Sequence, residues 1–204
     1  MKSENGDKQN NFDNLTAGQI GTLFPIQIVP YNPEWKAHFE QEKVLLTEVL
    51  GEYMPLHIEH FGSTSVEGLA AKPTIDILVE TSNLSDEIKR VITKKLGTIG
   101  YGNMYNAEKE TKMTFGKGYD ENYISAKTYH VHIRKKGNLP QDEIYFRDYL
   151  RQHADVRNEY AKLKYALAEK HRFNREDYTQ AKTAFILKVM NTRTPGGNPG
   201  SLSG

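Results

Sequence analysis

Apolar residues in this chain recur at two spacings, and the changeover between them divides it. From residue 26 to about 138, short apolar runs suited to strands alternate with longer stretches spaced for helices; from 142 onward only the helical spacing remains. IQIVPY (26–31) reads as a short edge strand, because Pro30 lacks the amide hydrogen that a central strand needs. In NPEWKAHFEQEKVLLTEVLG, Trp35, Phe39, Leu46, Val49 and Leu50 share one helical face. Asn32 is placed to cap that helix, Pro33 to occupy its first position and Gly51 to stop it. LHIEHF (56–61) and PTIDILVE (73–80) predict strands, joined by GSTSVEGLA, a turn entering a short helix. LSDEIKRVITKKLG predicts a helix capped by Ser85 and ended by Gly97, with Ile88, Val91 and Ile92 buried. Strands follow at about 99–105, 111–116 and 127–134, and then helices in EIYFRDYLRQ, DVRNEYAKLKYALAEK and REDYTQAKTAFILKVMN.

This order predicts an α+β fold: a mixed β-sheet core with flanking helices over about 24–138 and a helical cap over about 139–193. Together they form a single domain, 24–193. The polar stretches 1–23 and 194–204 are expected to be disordered tails. No internal period is visible, which excludes solenoids and propellers.

Composition narrows the function classes. Zero cysteines exclude disulfides, thiolate metal sites and cysteine nucleophiles, and fit a reducing cytoplasm. No apolar run reaches the length of a membrane span, and MKSENGDKQNNFDN is polar where a signal peptide is hydrophobic, so a soluble cytoplasmic protein without a membrane partner is expected. A net charge of +1 makes nucleic acid an improbable partner. The charge is unevenly spread, however: residues 134–193 hold 14 Lys/Arg against 8 Asp/Glu, and the remainder 13 against 18. That asymmetry suits a C-terminal half facing phosphate or another anion, although solvated helix faces give the same count.

The chemistry concentrates in HFGSTSVEGLAAKPTIDILVE, residues 60–80. A glycine directly after a strand lets backbone amides approach a ligand, and Ser63, Thr64 and Ser65 add hydroxyls where a helix should begin. Gly62, Ser63 and Thr64 are therefore candidate phosphate ligands, the alternative being a turn that merely caps a helix. In PTIDILV, alternation places Thr74, Asp76 and Leu78 on one face, setting an acid inside a buried strand. Such a carboxylate requires a partner: a metal, Lys72, a histidine, or a structural ion pair. His130 and His132, two apart in a strand, share a face and are candidate metal ligands or, singly, a general base. Imidazole favours zinc or manganese over magnesium. His60 is a further candidate for the same pocket. Lys72, Lys117, Arg134 and Arg147 are the cations placed to meet an anionic ligand, with Arg151 one turn beyond Arg147; Arg147 serves equally well as a structural clasp.

GSTSVEGLAAKPTIDILV resembles the signature of the GrpB family, small proteins of unsettled function within the nucleotidyltransferase-fold superfamily. The likeness continues through Phe115, Lys117 and Gly118, YHVHIR (129–134), YFRDYLR (145–151) and the helix from Tyr160 to Lys164, and covers roughly 26–190. It implies a nucleotidyltransferase-like sheet, on which a Gly-Ser turn and an Asp-x-Asp pair, with a third carboxylate on a neighbouring strand, hold a divalent metal and a nucleoside triphosphate. Gly62 and Ser63 match the turn and Asp76 the second aspartate; Thr74 stands in place of the first. The expected ligands are a nucleotide or other phosphorylated small molecule and a divalent ion, Mg²⁺ or Mn²⁺ with Zn²⁺ as the alternative. Two other functions compete: a catalytically inactive relative that binds a ligand or acts as an interaction domain, and a metal-dependent hydrolase using His130, His132 and Asp76. A further carboxylate near Asp76 would favour the transferase; Glu59 and Glu80 are the nearby acids in sequence.

Overall fold

The computed structural model describes residues 16–51, 57–104, 111–119, 127–138 and 140–193. Five strands, β1 (His57–Phe61), β2 (Thr74–Thr81), β3 (Gly102–Asn103), β4 (Lys112–Lys117) and β5 (Thr128–Lys135), form one sheet in the order β1-β2-β5-β4-β3. The central pair β2 and β5 is parallel and the other neighbours are antiparallel. Among the described residues seven α-helices flank it: α1 (Ala17–Leu23), α2 (Glu34–Leu50), α3 (Asp86–Gly97), α4 (Gln141–Gln152), α5 (Ala154–Lys170), α6 (Arg175–Ala181) and α7 (Thr183–Met190).

Strand alternation sorts the two faces. Ile75, Ile77 and Val79 of β2, Tyr129, Val131 and Ile133 of β5, and Met113 and Phe115 of β4 pack against Trp35, Phe39, Leu46 and Leu50 of α2 and Ile92 and Leu96 of α3. This apolar layer is the main core. The opposite face carries Asp76, His130 and His132 and looks toward α4–α7, which bury smaller clusters around Leu150 and Tyr160 and around Tyr178. Helix starts follow the sequence: Ser85 Oγ accepts from the Ile88 amide, and Asn32 Oδ1 accepts from Glu34 N at 2.9 Å.

Several elements differ from expectation. IQIVPY does not join the sheet; Val29 makes one isolated bridge, exchanging two backbone hydrogen bonds with Ala71. The strand expected over 99–105 is two residues long. The last predicted helix divides into α6 and α7 at Lys182. The polar N-terminal stretch includes helix α1, while residues 1–15 and 194–204 lie outside the described residues. GSTSVEGLA forms only a three-residue 3-10 turn, Ser63–Ser65, so the expected short α-helix is absent there. That correction matters, because one short turn lacks the aligned peptide dipoles that make a helix N-terminus attract phosphate.

On the α2 face Lys117 donates to the buried Glu42 at 2.6 Å, and Tyr101 donates to the same carboxylate oxygen at 3.1 Å. The Lys117 ammonium also lies over the Tyr101 and Tyr129 rings. Its work is to neutralise a buried acid. Lys117→Met should therefore destabilise the fold by about 3 kcal/mol in urea unfolding, and adding Glu42→Gln should recover much of the loss, since the cost lies in the orphaned charge.

Candidate functional site

β1 ends at Phe61, directly opposite Asp76 in the antiparallel register, and the chain must then turn over that carboxylate. Gly62 makes the turn with φ 71°, and a Cβ built there would lie 2.4 Å from Asp76 Oδ2. Glycine is thus required twice, by conformation and by the close approach. The turn is closed by Ser65 Oγ, which donates to the Gly62 carbonyl at 2.7 Å. Thr64 Oγ1 donates to the Thr74 carbonyl at 2.9 Å, which leaves His60 Nε2 as the donor to Thr64 at 3.0 Å.

The parallel register sets Asp76 beside His130, with His132 two residues along the same face. Asp76 Oδ1 lies 3.2 Å from His130 Nδ1 and 3.6 Å from His132 Nε2. One ligand atom from each of the three residues falls within 4.8 Å of the others, as a shared metal ion requires. Burial alone would raise the Asp76 pKa, but the two histidines hold it far below the usual carboxylate range. Burial lowers the pKa of His130, against the pull of Asp76. Behind His130 the Tyr119 hydroxyl bonds to Nε2 with the two rings stacked, and His132 meets the Phe61 ring edge-on.

Asp76 also forms part of the wall of a cavity of about 480 Å³ between the sheet and α4–α7. Gly62, Ser63, Thr64, Thr74 and Lys72 line the sheet side; Tyr160, Lys164, Tyr178 and Lys182 line the cap side. Lys164 is 2% exposed and its Nζ lacks a hydrogen-bond partner. It rests on the Tyr160 ring, while Lys72 and Lys182 both lie over Tyr178. Burial pushes the Lys164 pKa down to about 7, and the Lys182 and Lys72 charges add to the shift. Lys72 is pushed down to about 8 by burial, with Arg175 and Lys182 contributing. Asp142 and Glu143 also line the cavity, from the exposed first turn of α4. Its interior is a group of mutually repelling ammoniums with Asp76 as counter-charge.

A protein-family model described as GrpB protein matches residues 25–192. The chain belongs to the GrpB family. The glutamate-rich protein GrpB of Alkalihalophilus pseudofirmus is 35% identical over 165 residues, which are 80% of this chain and 93% of that protein. The crystal structure of the conserved protein GrpB from Enterococcus faecalis is 33% identical with a TM-score of 0.69, covering 81% of this chain and 96% of that one. The Cid1 poly(U) polymerase, in a structure with Mg and 3'-dATP bound, is 15% identical with a TM-score of 0.52 over 76% of this chain and 49% of the polymerase chain. That last likeness concerns the fold alone. This GrpB-family protein thus has a nucleotidyltransferase-like α+β fold, and no described helix is long and apolar enough to cross a membrane.

Of the residues singled out in sequence, Gly62, Ser63, Thr64, Lys72, Asp76, His130 and His132 come together here, but Thr64 spends its hydroxyl on the Thr74 carbonyl at the start of β2. Arg147 lines the cavity, yet its guanidinium already donates to Glu59 at 2.7 Å, to the His60 carbonyl and to both oxygens of Asp148, clasping α4 onto β1. Arg151 similarly holds the Ser65 carbonyl. Three candidates lie elsewhere. Lys117 and His60 are on the α2 face, His60 stacked on Phe39, and Arg134 caps the Met113 carbonyl farther along β5. Glu59 is taken up by Arg147, and among the described residues the only group able to share an ion with Asp76 is the histidine pair. Lys164 and Lys182 escaped the sequence reading. The visible signal was a lysine in the buried stripe Tyr160, Lys164, Ala168, at i, i+4 and i+8.

The lysines give stability a distinctive pH dependence. Between about pH 7 and 9.5 the unfolded chain still holds protons that the folded lysines have released, so stability should rise with pH. Chemical denaturation across this range should show the rise, and Lys164→Met should be more stable than the parent at pH 7 with a flatter profile. Gly62→Ala should lower stability by about 1–3 kcal/mol through its left-handed backbone alone, and by more as Asp76 is displaced, with retained parental stability counting against the close approach.

Proposed function

We propose that this protein binds a nucleotide or another phosphorylated small molecule in the cavity between the sheet and α4–α7. The observation that carries this reading is the convergence of Lys72, Lys164 and Lys182 on one cavity, with the Lys164 ammonium buried and lacking a hydrogen-bond acceptor. Buried like charges are costly, and an entering polyanion offsets that cost directly. In this reading Ser63 and the amides of the Gly62 turn border the phosphates, and the three ammoniums neutralise charge as it builds on a transferring group. A divalent ion at Asp76 completes the charge balance.

Nucleotidyl or phosphoryl transfer is the reaction class that the fold suggests, but among the described residues the group gathered on Asp76 is the histidine pair and contains no second carboxylate. Two-ion transfer normally uses several carboxylates, so ligand binding is the firmer half of the proposal. Thermal unfolding with each ribonucleoside triphosphate and with tripolyphosphate, with and without Mg²⁺, Mn²⁺ or Zn²⁺, provides the test. A ligand present at one hundred times its Kd should add about 2.7 kcal/mol of stability, and Lys164→Met should abolish the gain. Absence of any shift would instead favour an interaction domain that keeps the fold without the ligand.

A further inference from the structure

The two histidines beside Asp76 bear on which ion the site would take. His132 Nε2 is buried without a hydrogen-bond partner and faces Asp76 Oδ1 from 3.6 Å. That separation is too long for a hydrogen bond. Two ligands of one tetrahedral ion, each about 2.0–2.2 Å from it, lie about 3.3–3.6 Å apart, which is the spacing found here. The 3.2 Å between His130 Nδ1 and the same carboxylate oxygen falls close to that range. Two imidazole nitrogens and one carboxylate are also the wrong donors for magnesium, which selects oxygen, and suitable ones for zinc, manganese, iron or cobalt.

The surroundings brace this set. With His130 Nδ1 as ligand, the Nε2 hydrogen is donated to the Tyr119 hydroxyl, whose ring stacks on the imidazole. His132 is steadied by the edge of Phe61. Gly62 closes over Asp76 Oδ2 with no Cβ to displace it. An outer hydrogen bond that fixes the tautomer of a ligating histidine is a usual feature of a built metal site.

We propose that Asp76, His130 and His132 form a two-histidine, one-carboxylate centre for a single borderline transition-metal ion such as zinc, selective against magnesium, with Tyr119 as the positioning residue behind His130. An ion so held, with three protein ligands, retains a place for water and lowers its pKa toward neutrality. The matching chemistry is hydrolysis of a phosphoester or anhydride, in contrast to two-magnesium transfer. The proposal deepens the cavity reading only in sharing Asp76 with it.

The test is metal binding by the full chain after chelator treatment, using cobalt(II) as a visible-absorbing probe, with zinc and magnesium as competitors. The expected result is one cobalt per chain with a tetrahedral or five-coordinate spectrum, displaced by equimolar zinc and unaffected by millimolar magnesium. Tyr119→Phe should weaken binding by about 10–100-fold, and His132→Gln by at least as much. The Tm of each variant, measured without metal or anion, checks that it remains folded, and the further rise with tripolyphosphate reports on the lysines separately. Displacement of cobalt by magnesium at equal concentration, or unchanged cobalt affinity in a folded His132→Gln, would overturn the proposal. Cobalt binding without any anion-induced shift would leave the metal centre standing and defeat the cavity reading instead.

Discussion

Everything at the site depends on where one carboxylate is held. Asp76 sits near the start of β2, an interior strand of the sheet, where an unpaired charge would be expelled or protonated. The parallel pairing with β5 answers this by placing His130 directly beside it and His132 one alternation farther along. Because side chains repeat every two residues, a slip of one residue in that register would carry both histidines to the α2 face and leave the acid alone. The apolar residues of the opposite face, Ile75, Ile77, Val131 and Ile133, forbid that slip, since it would expose them. Core packing and site assembly are thus one constraint applied to two strands.

The cap helices impose a second and opposed constraint. α5 buries Tyr160, Lys164 and Ala168 along one stripe, and so carries Lys164 into the interior where an apolar residue would pack at no electrostatic cost. Lys72 and Lys182 add to the repulsion, and the aromatic rings of Tyr160 and Tyr178 give only partial compensation. By contrast, the charges that fasten the cap are well satisfied: Arg147 has an acceptor for every part of its guanidinium that points at β1 or Asp148. The same region therefore contains fully paired cations that hold the structure and an under-paired one that faces a cavity. Only the second kind has free energy to gain from a ligand.

On the face that carries Asp76 the site presents the Gly62 turn, Thr74 two residues earlier on the same strand and the histidine pair on β5. Because the sheet is stabilised by its apolar face, the residues on this other face can differ between proteins of one fold without disturbing it. The fold likeness to a poly(U) polymerase consequently says little about chemistry here.

Local pattern was sufficient for most of the architecture. The period of two in PTIDILV and YHVHIR, the helical stripes of α2 and α3, and the caps at Asn32 and Ser85 depend on neighbours in sequence, so they could be read directly. So could the pairing of Gly62 with Asp76 as a chemical unit, through its resemblance to GrpB. The short fate of IQIVPY and of the strand near 102 could not, since edge pairing depends on which partner strand is available. Nor could the sorting of the cations. Lys117, Lys164, Arg134 and Arg147 are alike in sequence, and only the three-dimensional neighbours decided that Glu42, a backbone carbonyl and a Glu59–Asp148 pair would claim three of them. Lys164 was left facing the cavity because a charge is answered by whatever lies within a few ångströms of it, and that distance spans residues far apart along the chain.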